Sequence, residues 1–149
     1  MDLPAPPAAT ARLAPPEQLA ALARSGVPTF QEHLERAGRP ALTAGALRVL
    51  QVNVGKLCNQ TCRHCHVDAG PHQVTANMAW PTFEACLKVV EAARPPVVDV
   101  TGGAPELNPH FRRFVREVRA RGVGEVIDRC NLTVLLLPGQ KDLVAFLAE

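Results

Sequence analysis

Three of the five cysteines in this chain lie within a stretch of eight residues. They are Cys58, Cys62 and Cys65, and they occupy the segment GKLCNQTCRHCHVDAG between Gly55 and Gly70. Thiolates are soft ligands that suit zinc or iron–sulfur clusters. A structural zinc site normally adds a fourth protein ligand, most often through a second C-x2-C pair or an H-x3-5-H pair. The segment has no second pair, whereas three cysteines on one loop can hold three irons of a [4Fe–4S] cube and leave the fourth iron open.

Other residues could still complete a zinc site with this cysteine trio (Cys58, Cys62 and Cys65). The candidates for a fourth ligand are His64, His66, His72, Cys86 and Cys130. Cys86 falls on the apolar stripe of a predicted helix, which indicates an inert core thiol rather than a ligand. A non-catalytic module that binds zinc through the trio is therefore the alternative to an iron–sulfur site.

The composition of the chain limits the classes of function. Its 149 residues suit one ordinary domain, and 47% hydrophobic with 20% charged residues is a globular composition. The net charge is only +2, so we do not expect nucleic acid as a partner. No apolar stretch approaches the ~20 residues of a membrane span, and the N-terminus does not read as a secretory signal. These features predict a cytoplasmic protein without a membrane partner, in which clustered cysteines indicate metal binding or catalysis.

Residues 1–45 are predicted to form a Pro- and Ala-rich extension with short helices. The sequence up to Pro16 has the composition of a disordered segment. Farther along, Thr29 and Glu32 form a T-x-x-E capping box at the start of a helix, and Gly38 is placed to end that helix. We assign no chemistry to this extension.

Residues 46–149 show three strand patterns, each followed by a helix pattern. The predicted strands read LRVLQVNV, VVDVT and EVIDRCNL. The helices read PTFEACLKVVEAA, which starts at Pro81, then PHFRRFVREVRARG, which is capped by Asn108 and closed by Gly122, and finally QKDLVAFLAE. Strands that alternate with single helices predict an α/β fold with a parallel sheet, either doubly wound or closing as a barrel.

The side-chain pattern of the first two strands favours the barrel. Buried parallel strands normally read as near-continuous apolar runs. These strands instead alternate between an apolar set and a more polar set: Leu50, Val52 and Val54 against Val49, Gln51 and Asn53, then Val98 and Val100 against Asp99 and Thr101. One face suits packing under helices, and the other suits a cavity that opens onto an active site. An edge strand with one solvated face is the alternative.

The chemically unusual stretches all follow the carboxyl ends of predicted strands. The cysteine trio follows the first strand, TGGAPE (residues 101–106) follows the second, and RCN (residues 129–131) closes the third. Ligands of parallel α/β folds bind at this end of the sheet. We therefore expect the three stretches to meet at one opening, at the carboxyl end of the sheet.

The trio and its neighbours resemble the radical S-adenosylmethionine (SAM) enzymes. The signature of these enzymes is C-x3-C-x-Φ-C, in which Φ is usually aromatic and is His64 in this chain. TGGAPE resembles their GGE motif, with Ala104 and Pro105 inserted before Glu106. Three stretches within residues 47–149 are similar to the arsenosugar-biosynthesis radical SAM proteins: LQVNVGKLCNQTCRHCHVDAGP, DVTGGAPELNPHFR and VIDRCNLTVLLLPGQ. The resemblance implies a partial parallel (β/α) barrel that contains the first three βα units of such a core.

The resemblance also implies cofactors, partners and site residues. The trio would ligate a [4Fe–4S] cluster whose open iron chelates the amino and carboxylate groups of SAM. An electron from a reductant such as ferredoxin or flavodoxin would cleave SAM to methionine and a 5′-deoxyadenosyl radical. In the arsenosugar family, this radical is transferred to a small-molecule substrate, a methylated arsenical. The residues implied in cofactor binding are His64, Gly102, Gly103, Glu106 and Asn131, and no catalytic residue is assigned.

Each of these cofactor residues also has a purely structural interpretation. Gly102 and Gly103 can make a tight turn, and Glu106 can interact with the dipole of the helix that follows it. Asn131 and Arg129 can make hydrogen bonds at the end of a strand. Three inward-facing residues are further candidates for contacts with SAM or substrate: Gln51, Asn53 and Asp99.

The number of βα units predicts an incomplete core. Radical SAM cores usually have more βα units than the three predicted here, and the arsenosugar proteins carry a further domain after the core. We therefore expect residues 46–149 to be the N-terminal half of a radical SAM core, in a fragment that turns over SAM poorly when isolated. The third predicted strand would then lack a neighbour on one side.

Overall fold

The structure, a computed structural model, describes residues 14–149. The prediction of disorder up to Pro16 falls mainly on residues 1–13, which lie outside the described residues. Its end is wrong, because Pro15 and Pro16 open a helix, whose first turn needs no N–H donor. The chain divides into two compact units, of which one ends at Gly45 and the other runs from Ala46 to Glu149.

The first unit contains two short helices, α1 (Pro15–Arg24) and α2 (Phe30–Arg36). The predicted capping box opens α2: Thr29 Oγ1 accepts from the Glu32 N–H at 3.3 Å, and Glu32 Oε2 accepts from the Thr29 N–H at 2.6 Å. Gly38 follows α2 with a φ of +61°, the left-handed conformation that ends many helices. The start and end predicted for this helix are therefore confirmed.

The second unit alternates strands and helices in the predicted order. Its strands are β1 (Val49–Asn53), β2 (Val97–Thr101) and β3 (Glu125–Asp128). Its helices are α3 (Trp80–Ala93), α4 (Phe111–Ala120) and α5 (Leu143–Leu147), with 3-10 turns over Pro105–Leu107, Thr133–Leu136 and Pro138–Gln140. The three strands pair in parallel in the order β1-β2-β3. The α/β prediction with a parallel sheet is confirmed.

The register of the sheet determines which side chains share a face. Val52, Val100 and Asp128 are neighbours across the three strands, and Gln51, Asp99 and Ile127 form the adjacent row. The first row faces the core under α3 and α4. That core contains the buried side chains Val52, Val54, Phe83, Leu87, Val90, Val98, Val100, Phe111, Phe114 and Val118. The second row lies on the opposite, more polar face of the sheet, as the alternation predicted.

The helix α4 begins later than predicted. It starts at Phe111 rather than beside Asn108, which is buried. Asn108 Nδ2 donates to Val54 O at 2.8 Å and to Met78 O at 3.1 Å. Its Oδ1 accepts from the His110 N–H at 2.9 Å, so this amide ties the end of β1 to the segment before α3 and to the turn that leads into α4.

The elements near the C-terminus are shorter than predicted. β3 ends at Asp128, because Leu132 takes a φ of +61° and the chain turns into the Thr133–Leu136 3-10 turn. The last helix pattern forms a 3-10 turn and then the short helix α5. Within residues 14–149, no helix has both the length and the apolar composition that crossing a membrane requires.

Candidate metal and cofactor site

The cysteine trio lies on a loop whose two ends are hydrogen-bonded to each other. The Gly70 N–H donates to Lys56 O at 3.0 Å, and the Cys58 N–H donates to Gly70 O at 3.3 Å. Within the loop, the Cys65 N–H donates to Cys62 O at 3.0 Å and forms a tight turn. These bonds fix the loop where it leaves β1.

All three cysteines of the trio line one pocket of about 110 Å³, which we call the trio pocket. Cys58 is buried, Cys65 is half-buried and Cys62 is exposed, and all three thiols are free. The other residues that line the pocket are Gln60, Ala69, Gly102, Gly103 and Asn131. The loops that follow β1, β2 and β3 therefore meet here, as expected from the positions of the three stretches.

Two of the three sulfurs accept N–H hydrogen bonds from the protein. The Ala69 N–H donates to Cys65 Sγ at 3.3 Å, and Asn131 Nδ2 donates to Cys58 Sγ at 3.6 Å. The third thiol, that of Cys62, instead donates to Gln60 Oε1 at 3.8 Å. N–H donors stabilise thiolates and tune the reduction potential of iron–sulfur clusters. The donor set therefore fits a cluster held by thiolates.

Gly102 and Gly103 allow the loop after β2 to lie directly against the cysteine loop. The Gly103 N–H donates to Gly55 O, and the next N–H along the chain donates to Leu57 O, both at 2.9 Å. A Cβ atom at Gly103 would collide with the backbone of Leu57. Gly102 has a φ of +154°, and a Cβ atom there would lie 2.7 Å from Gly55 O. Both positions therefore require glycine for the contact between these two loops.

Asn131 joins the loop after β3 to the trio. Besides its bond to Cys58, Asn131 Nδ2 donates to Asn59 Oδ1 at 2.8 Å. Its Oδ1 accepts from Thr133 Oγ1 at 3.0 Å and from the Val134 N–H at 3.1 Å. Both ends of the amide are bonded within the protein, so this side chain positions the cysteine loop.

Two of the predicted cofactor residues do not line the trio pocket. The side chain of His64 is exposed, between the two lining cysteines Cys62 and Cys65. Glu106 is only 4% exposed and lies in the Pro105–Leu107 3-10 turn. The structure therefore brings together the trio, both glycines and Asn131, and leaves these two side chains apart.

The inward-facing candidates form a separate polar cluster on the open face of the sheet. Asp99 Oδ2 accepts from Arg129 Nη2 at 2.7 Å and from Gln51 Nε2 at 3.1 Å. The hydrogen bonds from Arg129 lower the pKa of the Asp99 carboxyl below its usual range, and the bond from Gln51 adds to this effect. Asn53 Oδ1 accepts from the Gly55 N–H at 3.1 Å. None of these residues lines the trio pocket.

The structure also contains a group of ionisable side chains that the sequence patterns did not predict, which we call the acid–thiol group: Glu106, Asp128 and Cys130. One possible ligand atom from each lies within 4.8 Å of the other two, an arrangement found in no other three His, Cys, Asp or Glu residues within 14–149. Burial, and then the neighbouring Glu106 carboxylate, raise the pKa of Asp128 to about 7. Burial, and then the neighbouring Glu106 carboxylate, raise the pKa of the Cys130 thiol to about 11.

A signal for the acid–thiol group was present in the sequence. Asp128 lies two residues beyond Val126 and is paired across the sheet with Val100. Side chains two apart on a strand share a face, so this carboxyl group occupies a position of the apolar set. A carboxyl group at a core position is unusual enough to mark a site.

A comparison with known protein families gives a match, and the matched region includes the cysteine trio. The model of the Radical SAM superfamily matches residues 52–149, about two thirds of the chain. This range holds the trio, both glycines and Asn131. No curated protein and no solved structure gives a significant match. The second unit is accordingly a partial β/α barrel of this type, with three parallel strands that alternate with helices. The chain therefore belongs to the radical SAM superfamily.

Proposed function

We propose that this protein is a radical SAM enzyme in which the cysteine trio holds a [4Fe–4S] cluster and the trio pocket receives SAM. The observation that carries this proposal is the meeting of three free thiols with Gly102, Gly103 and Asn131 at one pocket. Membership of the superfamily supports the type of reaction, because its members generally use this cluster and SAM. Three thiolates bind three of the four irons, which leaves one iron for a ligand that is not protein.

The residues of the chain would bind and orient the cofactors. The Ala69 N–H and the Asn131 amide would stabilise two of the thiolates of the trio. When bound, the cluster supplies the electron that cleaves SAM reductively. Gly102 and Gly103 present backbone without side chains at the pocket, and we propose that this backbone lies along the methionyl part of SAM. The exposed side chain of His64 suits a role for this residue through its backbone, which we place against the adenine of SAM.

A zinc-binding module is the competing function, and the positions of the sulfurs favour the cluster. A zinc ion binds each sulfur ligand at a Zn–S distance of about 2.3 Å, so all the ligand atoms of one zinc site lie close to one another. Among the described residues, the ligand atoms within 4.8 Å of one another belong to the acid–thiol group and not to the trio. In a [4Fe–4S] cube each thiolate binds a different iron, so the sulfurs lie farther apart. The side chain of Glu106 lies away from the trio pocket, and we propose a separate role for it below.

For the substrate, we propose a methylated arsenical that receives the deoxyadenosyl group, as in arsenosugar biosynthesis. The support is the similarity of the cysteine loop, of the TGGAPE stretch and of the RCN stretch to that subfamily. The reaction would need an external one-electron reductant, for which ferredoxin or flavodoxin is our proposal. A reducing compartment such as the cytoplasm suits five free thiols.

Anaerobic reconstitution with iron and sulfide tests the cofactor assignment. We expect a brown protein with about four irons per chain and a cluster that dithionite reduces. Replacing one cysteine of the trio by alanine should remove most of the iron. A colourless protein that binds one zinc ion and no iron after the same treatment would establish the competing function.

A separate assay tests the substrate. Reconstituted protein is incubated with SAM, reductant and a methylated trivalent arsenical, and the products are separated by mass. We expect a deoxyadenosyl–arsenic compound that is absent when the arsenical is left out. If SAM is cleaved to 5′-deoxyadenosine alone in both cases, the substrate proposal is wrong while the radical SAM assignment stands.

A further inference from the structure

The acid–thiol group lies on the helix-covered side of the sheet, away from the lining of the trio pocket. Asp128 ends β3 and shares its face with the buried Val100 of β2. Cys130 follows two residues later, and Glu106 reaches the same place from the 3-10 turn after β2. Glu106 therefore joins Asp128 and Cys130, from a separate segment of the chain, in a region that packing alone would fill with apolar groups.

The carboxyl groups of Glu106 and Asp128 have no cationic partner among residues 14–149. All four carboxylate oxygens of Glu106 and Asp128 are buried and accept no hydrogen bond. Glu106 is only 4% exposed, so bulk water reaches little of its side chain. Buried carboxylates are normally paired with a cation or bound to a metal, because an uncompensated buried charge is costly.

We propose that Glu106, Asp128 and Cys130 form a binding site for a divalent cation of the zinc class, separate from the cysteine trio. Two carboxylates alone would suit Mg²⁺ or Ca²⁺, but the thiol is a soft ligand that these hard ions avoid. Zn²⁺ accepts both kinds of ligand and is often held by three protein side chains with water in the fourth position. The cation would compensate both carboxylates at once.

The distances require only a small closure of the site around the ion. Zn–S bonds of about 2.3 Å and Zn–O bonds of about 2.0–2.2 Å place the ligand atoms of a tetrahedron about 3.5 Å apart. The three candidate atoms already lie within 4.8 Å of one another. Shifts of about 1 Å in the side-chain atoms bring the three ligand atoms to tetrahedral distances, and water takes the fourth position. The site needs neither the iron–sulfur cluster nor SAM, so it does not rest on the proposed function.

Residue-resolved thiol protection tests the site in the full chain. The protein is treated anaerobically with a maleimide at increasing concentrations of zinc chloride, and the labelling of each cysteine is read by peptide mass spectrometry. Cys86 is the internal control, because it is half-buried like Cys130 and lies on α3. We expect zinc to protect Cys130 and to leave Cys86 unchanged. Labelling of the cysteine trio is read separately in the same spectra, so zinc bound there does not obscure the result.

Two variants show whether the carboxylates bind the ion. Mutating a residue that only supports a metal ligand lowers metal affinity by about 10–100-fold. Glu106→Gln replaces a ligand itself, so it should raise the zinc concentration needed to protect Cys130 by at least about tenfold. Asp128→Asn should act in the same way and serves if Glu106→Gln does not fold. Glu125→Gln, an exposed site on β3, is the matched control and should keep wild-type protection.

Two results would overturn the site. One is labelling of Cys130 that saturating zinc does not change, which would mean that the two carboxyl groups share a proton and bind no metal. The other is equal zinc protection in wild type, Glu106→Gln and Asp128→Asn. Loss of zinc binding would leave the iron content of the trio unaffected, so this result is distinguishable from a failure of the radical SAM assignment.

Discussion

Replacing Gly103 by alanine should disturb the cysteine loop. The added Cβ atom would lie 2.8 Å from the carbonyl carbon of Leu57, whereas ordinary contacts begin at 3.4 Å. The atoms that it meets belong to the backbone and cannot rotate away, and Leu57 O is nearer than this carbon, so the two loops must separate by more than about 0.6 Å. A binding constellation tolerates displacements of about 0.5 Å, and Leu57 directly precedes the ligand Cys58. We therefore expect Gly103→Ala to lose iron as well as SAM binding.

The loss of stability can be estimated from the same contacts. Overpacking costs about 1–3 kcal/mol. Separation of the loops would also weaken two hydrogen bonds of 2.9 Å, from Gly103 to Gly55 and from Ala104 to Leu57, each worth about 1 kcal/mol. Together these terms give about 2–5 kcal/mol, a large share of the about 5–15 kcal/mol that holds a typical domain folded.

The assay compares iron content after anaerobic reconstitution with the free energy of unfolding in urea. Gly124→Ala is the control, because a Cβ atom there would lie 3.6 Å from Pro96 O, an ordinary contact. The control should match the wild type in both measurements. Wild-type iron content and stability in Gly103→Ala would refute the inference that the two loops need this glycine to hold the trio in place.

Three further predictions concern the trio, the amide that supports it and the polar face of the sheet. Alanine at any position of the trio should abolish the cluster, whereas Cys86→Ala should keep the iron and cost about 1 kcal/mol of stability; equal iron loss in both kinds of variant would contradict the ligand assignment. Asn131→Leu should make the reduction potential of the cluster more negative, because the amide no longer donates to Cys58 Sγ; an unchanged potential in a redox titration would show that this bond does not reach the cluster. The Arg129 hydrogen bonds lower the pKa of Asp99 below 3.8, so this pair stabilises the fold above about pH 4 and the stabilisation is lost as the pH falls through the lowered value. Arg129→Leu should therefore reduce stability in urea more at about pH 7 than at about pH 3, and an equal loss at both pH values would count against the linkage.

The strands and helices of the second unit could be predicted because the signals for them lie within short stretches of sequence. VVDVT became β2 with the predicted bounds, since valines on alternate positions pack under α3 and α4. Pro81 lies in the first turn of α3, where its missing N–H has no cost. The start of α4 was predicted too early, and the bonds from the Asn108 side chain to Val54 and Met78 are long-range contacts that a local pattern does not show.

The site also combines features that local sequence predicts with features that depend on contacts between distant segments. The three loops could be placed at one end of the sheet from strand order alone, and they meet at the trio pocket. The resemblance implied that Gly102 and Gly103 take part in cofactor binding. The structure shows that the space a Cβ atom would take at Gly103 is filled by the backbone of Leu57. The burial of Glu106 beside Asp128 depends on contacts between distant segments, so it could not be derived from spacing.

The interaction of SAM with the reduced cluster tests the central claim most directly. The reconstituted and reduced protein is measured by electron paramagnetic resonance before and after the addition of SAM, with a variant of Cys62 to alanine as the control. We predict the signal of a reduced [4Fe–4S] cluster whose g values shift when SAM binds the open iron, and no such signal in the control. A cluster signal that SAM leaves unchanged, or an equally strong signal in the Cys62→Ala variant, would contradict the assignment of the trio as the site where cluster and SAM meet.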